Sequence, residues 1–160
     1  IGYFGHLTSS WFDWPMLIQT AQTHPDWTFH IIGYGYDNPI PLPDSILLPG
    51  KVAHEELPHY AANWNVAIIP FKVTRLSGGV NPIKVYEYLQ LRLPVVACGM
   101  PHLTQFPYVQ NAQNGHEFET SIQKAAQTHL DEQILEKFLE QNTWQHRAAQ
   151  LLSMKPSSRA

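Results

Sequence analysis

The chain has 160 residues, which fits one domain, and hydrophobic residues make up 44% of it, enough to bury a core. Its net charge of -3, with only 10 lysines and arginines, argues against a binder of the phosphate backbone, so no nucleic-acid partner is expected. The single cysteine, Cys98, cannot form an internal disulfide, so nothing requires an oxidising compartment and we expect a cytoplasmic setting.

The first part of the chain alternates short strands with a helix. Residues 1–5 form a β-like run that ends in glycine. Asp13 can then cap a helix over residues 14–24, where apolar side chains recur at helical spacing. Residues 27–33 read as a second strand, and residues 46–48 as a third after a loop rich in proline and aspartate.

The second part continues this alternation. Residues 53–62 predict a short helix, residues 66–69 a buried strand, residues 82–91 a helix and residues 94–98 a further strand. Continuous apolar strands that alternate with helices are typical of a parallel sheet covered on both faces. We therefore expect a Rossmann-like, three-layer α/β/α sandwich with a mainly parallel sheet of about six strands.

The end of the chain is helical. The helical pattern resumes at about residue 119 and continues to residue 152, with a break near residues 141–142. We predict one domain over residues 1–154 and a disordered polar tail over residues 155–160. No apolar run approaches the roughly 20 residues of a membrane-spanning helix. The chain opens inside a strand without a starting methionine, and we therefore expect it to be a fragment of a longer protein.

Residues 77–89, between two buried strands, form the most informative segment. Asn81 can cap the following helix, and Pro82 fits its first position. Free backbone N–H groups, the positive end of the helix dipole and the flexible Gly78 and Gly79 together predict an anion site at the carboxyl edge of the sheet.

Lys84 and Glu87 lie on one face of this helix. Lys84 is in the first turn, where a cation is unfavourable unless an anion is bound. Lys84 can neutralise a diphosphate while Glu87, one turn away, accepts hydrogen bonds from ribose or sugar hydroxyls. The alternative is an ordinary surface pair of lysine and glutamate on an amphipathic helix.

The segment also resembles a known signature. Residues 70–72, 81–89 and 93–97 are similar to the donor-binding motif of GT-B glycosyltransferases, particularly the group 1 (GT4-like) bacterial sugar transferases. Further landmarks of the family resemble this sequence in the same order, at residues 1–5, 11–13, 30–33, 49–52, 54–57 and 142–147. The resemblance covers most of the chain and identifies it as similar to the C-terminal, donor-binding domain of such an enzyme.

The resemblance implies roles for individual residues. Glu87 would contact the ribose of the donor nucleotide. The loop before Asn81 and the helix start would hold the diphosphate, and the chain around residues 51–54 would run past the base. We predict Lys84 and Glu87 as the catalytic residues and no metal ligand. The predicted donor-binding residues are Gly5, His6, Lys51, His54, Gly78, Gly79, Val80, Asn81, Lys84 and Glu87.

The sequence departs from the family pattern at two places. The family places a second glutamate eight positions before Glu87, near the transferred sugar, and that position is Gly79 here. Many members carry an arginine and a lysine after the first strand, where this chain has Gly5 and His6. We expect Lys84 to take over the contact with the phosphates, and the stereochemical outcome stays open.

The resemblance further implies a two-domain enzyme. An N-terminal domain absent from this chain would bind the acceptor, and a hexose or related sugar would pass from a nucleoside diphosphate sugar to an acceptor hydroxyl, in the synthesis of cell-surface polysaccharides or glycoconjugates. No tightly bound cofactor is expected, and the missing domain could associate peripherally with a membrane. We expect this chain alone to bind nucleotide weakly without catalysing transfer. The alternative is a degenerate domain that binds nucleotide or acts as a scaffold.

Three other patterns are discounted. Residues 33–38 begin like a dinucleotide-binding fingerprint, but the last glycine is replaced and no helix follows. Residues 54–59 resemble a zinc protease motif, but their histidines are five apart. Most tryptophans are expected in the core or at an interface, and the exception is Trp11, which lies in the first loop facing the expected cleft.

Overall fold

The structure is a computed structural model that describes residues 1–37 and 39–153. It contains six strands: β1 (Gly2–His6), β2 (Phe29–Tyr34), β3 (Ile46–Gly50), β4 (Ala67–Ile69), β5 (Val95–Cys98) and β6 (Val109–Ala112). Its α-helices are α1 (Trp14–Thr23), α2 (Leu57–Ala61), α3 (Lys84–Gln90), α4 (Gly115–Ala126), α5 (Glu132–Gln141) and α6 (Trp144–Ser153). Short 3-10 helices cover His54–Glu56, Ser77–Gly79 and Pro101–Gln105.

All six strands belong to one parallel sheet with the order β3-β2-β1-β4-β5-β6. The predicted fold class, a Rossmann-like α/β sandwich with about six strands, is therefore confirmed. Strands β1 and β4 lie side by side at the centre of the sheet. The chain adds β2 and β3 outward from β1, and then β5 and β6 outward from β4 in the opposite direction. Ligands of open parallel sheets bind at such a reversal, in the crevice beyond the carboxyl ends of the two strands.

The two faces of the sheet carry separate cores, because successive side chains of a strand point to opposite faces. Tyr3 belongs to the core beneath α1 and α4, whereas its neighbour Phe4 belongs to the core beneath α2, α3 and α5. Asp13 caps α1 as predicted, since its carboxylate accepts a hydrogen bond from the Met16 backbone N–H. Trp14 and Trp64 are buried and Trp27 is half-buried against the core, as expected, whereas Trp144 is 74% exposed, contrary to the expected core position.

The predicted start of the α3 helix is wrong. Asn81 does not cap it and Pro82 is not its first residue: the helix begins at Lys84, and no side chain caps it. The Val85 N–H bonds to the Pro82 carbonyl at 3.1 Å, which makes a tight turn before the helical pattern starts. Because the residue before a proline disfavours the helical conformation, Asn81 stays outside the helix.

The C-terminal region also differs from the prediction. The helix expected from residue 119 is three helices, and the sixth strand, β6, precedes them. The break near residues 141–142 is confirmed, but a second break precedes Asp131, whose carboxylate caps α5. The predicted domain boundary at residue 154 and the predicted disordered tail over residues 155–160 lie outside the described residues.

Candidate functional site

The crevice between β1 and β4 is the centre of the candidate site. Among the described residues, registered pairing of the two strands is confined to Gly2 and Ala67, so the strands are not paired toward their carboxyl ends. Helix α3 bridges the gap from one face. Its Tyr88 hydroxyl accepts a hydrogen bond of 3.0 Å from the Phe4 N–H, a group that strand pairing would otherwise satisfy.

Lys84 enters the same crevice one helical turn before Tyr88. Its Nζ donates a hydrogen bond of 3.3 Å to the Tyr3 hydroxyl and lies 4.8 Å from the Tyr3 ring centroid. The Phe71 ring, just after β4, has its centroid 5.6 Å from the same nitrogen. A Cβ at Gly5 would lie 2.6 Å from Nζ. Gly5 therefore leaves the space that the ammonium group occupies.

The Lys84 ammonium group is not neutralised by a carboxylate within residues 1–37 and 39–153. No carboxylate in the described part of the chain forms an ion pair with it, although an ammonium group has three hydrogen-bond donors. Burial lowers the pKa of Lys84 below its usual range, and the more distant Glu87 carboxylate opposes that shift. A partly desolvated cation with donors to spare is suited to bind an anion.

Glu87 lies beside a small groove of about 240 Å³. The groove is lined by Phe4, His54, Leu57, Pro58, Glu87, Gln90 and Leu91. Its walls are mostly apolar, and the polar groups of Glu87 and Gln90 are one helical turn apart. This combination suits a flat ring packed against the walls and a hydroxyl-bearing ring bonded to the carboxylate.

Hydrogen bonds between residues of the loop that joins β4 to α3 hold its shape. Ser77 is fully buried, and its hydroxyl accepts from the Thr74 N–H at 2.9 Å and donates to the Thr74 carbonyl at 2.8 Å. Gly78 and Gly79 follow it and are exposed. A Cβ at Gly79 would meet no atom within 4 Å, so the backbone packing does not require glycine there.

The structure brings several predicted residues together. Gly5 lies next to the Lys84 ammonium group, and His54 and Glu87 both line the small groove. Asn81 lines a second, larger groove that also includes Glu87, and its amide lies 3.5 Å from the Tyr86 hydroxyl.

Other predicted residues lie at the same edge without such contacts to the lysine. His6 is exposed at the end of β1 with its ring centroid 5.0 Å from that of Tyr34. Lys51 is exposed just beyond β3, and Val80 is half-buried in the loop after Gly79. Their predicted contacts with a donor stay predictions.

Sequence reasoning missed the aromatic surroundings of Lys84. Tyr3 reads as an ordinary core residue of a buried strand, and no sequence pattern marks its hydroxyl as a partner of Lys84, 81 positions away. Phe71 was included only through the family resemblance. Gln90 could have been found, because it follows Glu87 by three residues and therefore shares its helix face.

Within residues 1–37 and 39–153, no group of three or more histidine, cysteine, aspartate or glutamate side chains could hold a metal ion. In the same part of the chain, no helix combines the length and apolar character needed to cross a membrane.

Comparisons with known proteins identify the family of the chain. The sequence model of the family described as "Glycosyl transferases group 1" matches residues 4–132. A Bacillus subtilis (strain 168) protein, TuaH, whose name assigns it to teichuronic acid biosynthesis as a glycosyltransferase, is 29% identical in an alignment of 118 residues that covers 68% of this chain and 29% of that protein. The crystal structure of TarM superposes with a TM-score of 0.57 and 15% identity over 94% of this chain and 34% of that one. The chain thus spans about a third of the length of either protein.

Proposed function

The chain belongs to the group 1 glycosyl transferases, and from this premise we propose that it is the donor-binding part of an enzyme that transfers a sugar from a nucleoside diphosphate sugar to an acceptor hydroxyl. The observation that carries the proposal is the Lys84 ammonium group, which lies without a carboxylate partner among the described residues at the point where the strand order reverses. A diphosphate would supply the missing negative charge.

The positions of the crevice at Lys84 and of the small groove beside Glu87 support an orientation for the donor. With the diphosphate at Lys84, the ribose would reach Glu87 one helical turn along α3, and the base would enter the groove toward His54. The ribose hydroxyls would donate to the Glu87 carboxylate, and the base would pack against Leu57 and Pro58.

The proposed chemistry follows from the same placement. In the transfer, the bond between the sugar C1 and the diphosphate breaks and the acceptor oxygen bonds to C1, with its proton leaving to a base outside this chain. Negative charge grows on the departing diphosphate, and Lys84 would stabilise it in a partly desolvated setting. We propose that the acceptor-binding part belongs to a further domain, because the chain spans only 29% of its relative TuaH.

The biological setting is proposed from that relative. TuaH carries a name from teichuronic acid biosynthesis, which supports a role for this chain in the synthesis of a cell-surface polysaccharide. Donor nucleotides are cytoplasmic metabolites, so we place the reaction on the cytoplasmic side, with peripheral membrane contact through the further domain. The transferred sugar is proposed to be a hexose or a close derivative.

Calorimetry with two variants tests the proposal. The 160-residue chain is titrated with UDP, GDP, ADP, CDP and dTDP and with the matching nucleosides. We expect one diphosphate to bind, Glu87→Gln to weaken diphosphate and nucleoside alike, and Lys84→Gln to weaken the diphosphate alone. Glu119→Gln is the matched control, since Glu119 is also half-buried but lies on α4, against the opposite face of the sheet.

The outcomes separate the alternatives. No binding by any of the five diphosphates would contradict the proposed donor site. Equal losses for diphosphate and nucleoside in Lys84→Gln would contradict its phosphate role. Binding without transfer in the full-length protein would favour the degenerate, non-catalytic alternative.

A further inference from the structure

Trp11 is a large aromatic side chain left half-exposed at the carboxyl edge of the sheet. Its exposed fraction is 39%, and it lies in the loop between β1 and α1. Single exposed aromatic residues are normal on protein surfaces and by themselves indicate no site. The position of Trp11 relative to Lys84 and the fixed geometry of its loop distinguish it.

The loop that carries Trp11 is held on both sides. The Asp37 carboxylate accepts hydrogen bonds from the Ser9 N–H at 2.7 Å and the Thr8 hydroxyl at 3.1 Å. On the other side, the Trp11 carbonyl accepts a hydrogen bond of 2.8 Å from the Lys72 N–H. The backbone of the loop is thereby tied to the segments that follow β2 and β4, which fixes where the Trp11 side chain leaves the main chain.

A chain of aromatic contacts links Trp11 to the proposed phosphate position. The Phe71 ring centroid lies 6.0 Å from the Trp11 ring centroid and 5.6 Å from Lys84 Nζ. Trp11 is therefore one aromatic ring away from the ammonium group. A sugar attached to a diphosphate at Lys84 has to occupy space within about one ring's length of that group.

We propose that Trp11 is a specificity residue of the donor site that packs against the pyranose ring of the nucleoside diphosphate sugar. This inference rests on the proposed function. A pyranose has an apolar face of C–H groups, and packing it on the exposed part of an indole ring removes apolar surface of both partners from water. The contact would act on the sugar alone and leave the nucleotide contacts of Glu87 and Lys84 unchanged.

The test compares each nucleoside diphosphate with its glucose conjugate, for example UDP with UDP-glucose and GDP with GDP-glucose. In the wild-type chain the sugar is expected to raise the affinity about 2- to 12-fold, the range of one aromatic contact. Trp11→Ala should abolish this increment while the affinity for the bare diphosphate stays the same. Trp11→Phe should retain part of the increment.

Trp27→Ala is the matched control, because Trp27 is a half-buried tryptophan that lines a groove at the opposite, amino edge of the sheet. Thermal melting of each variant shows that it is folded. If the bare diphosphate binds but the sugar adds no affinity that depends on Trp11, this inference is wrong and the donor site stands. If Trp11→Ala weakens diphosphate and conjugate equally, the residue supports the loop and does not read the sugar. If no diphosphate binds, the proposed function fails and this inference fails with it.

Discussion

Replacing Lys84 with methionine should make the protein more stable and a weaker binder at the same time. Methionine keeps the aliphatic length of the side chain but removes a charge whose pKa burial lowers, which means that the folded state disfavours the charged form. Tyr3 would keep a partner, because its hydroxyl also donates to the His6 carbonyl at 3.0 Å. We expect the free energy of unfolding to rise by about 1 kcal/mol, or the melting temperature by about 2–4 °C.

The loss in binding should be larger than this gain. A charge-assisted hydrogen bond to a diphosphate contributes about 1.5–3 kcal/mol, so Lys84→Met should weaken diphosphate binding about 10- to 150-fold. Urea unfolding and calorimetry on the same samples measure both quantities, with the exposed Lys124→Met as the control. A fall in stability of more than about 2 kcal/mol with unchanged affinity would show that Lys84 is structural and refute the reasoning.

The remaining predictions concern the crevice around this lysine. Gly5→Ala should lower the free energy of unfolding by about 1–3 kcal/mol and weaken diphosphate binding. Gly5 has a φ of 148°, and the new Cβ would lie 2.6 Å from Lys84 Nζ and 2.8 Å from the Tyr3 hydroxyl. An unchanged melting temperature and affinity would contradict this prediction. Tyr88→Phe should lower the free energy of unfolding by about 1–3 kcal/mol, because the buried Phe4 N–H loses its acceptor; urea unfolding measures the loss. Burial lowers the pKa of Lys84, so the ammonium group loses its proton at a lower pH than an ordinary lysine does. Diphosphate affinity should therefore stay level near neutral pH and fall as the pH rises through this lowered pKa. In that alkaline range, calorimetry should also show that binding is coupled to proton uptake.

The sheet could be predicted because its strands are continuous apolar runs. Segments such as Ala67–Ile69 and Val95–Cys98 are buried on both faces, and their alternation with helical segments is typical of a parallel sheet covered by helices. The sixth strand was not located because Val109–Ala112 contains two polar residues, which are only half-buried at the sheet edge.

The helical part of the candidate site could be predicted from residue spacing. Lys84 and Glu87 lie on one helix, three residues apart, and therefore share a face. The predicted position of the helix start was wrong because the turn at Pro82 depends on individual backbone hydrogen bonds, which the helix propensities of the residues do not predict. The packing of Lys84 against Tyr3 joins residues that are 81 positions apart, and only the tertiary fold brings them together.

The central claim is that a nucleoside diphosphate binds where the strand order reverses between β1 and β4. The most direct measurement is a two-dimensional amide NMR titration of the chain with the diphosphate that binds in calorimetry. The account predicts shifts at Gly5, Lys84 and Glu87, which lie around the crevice and the groove beside it. Shifts confined to the groove at the amino edge of the sheet, around Trp27 and Asn65, would contradict it.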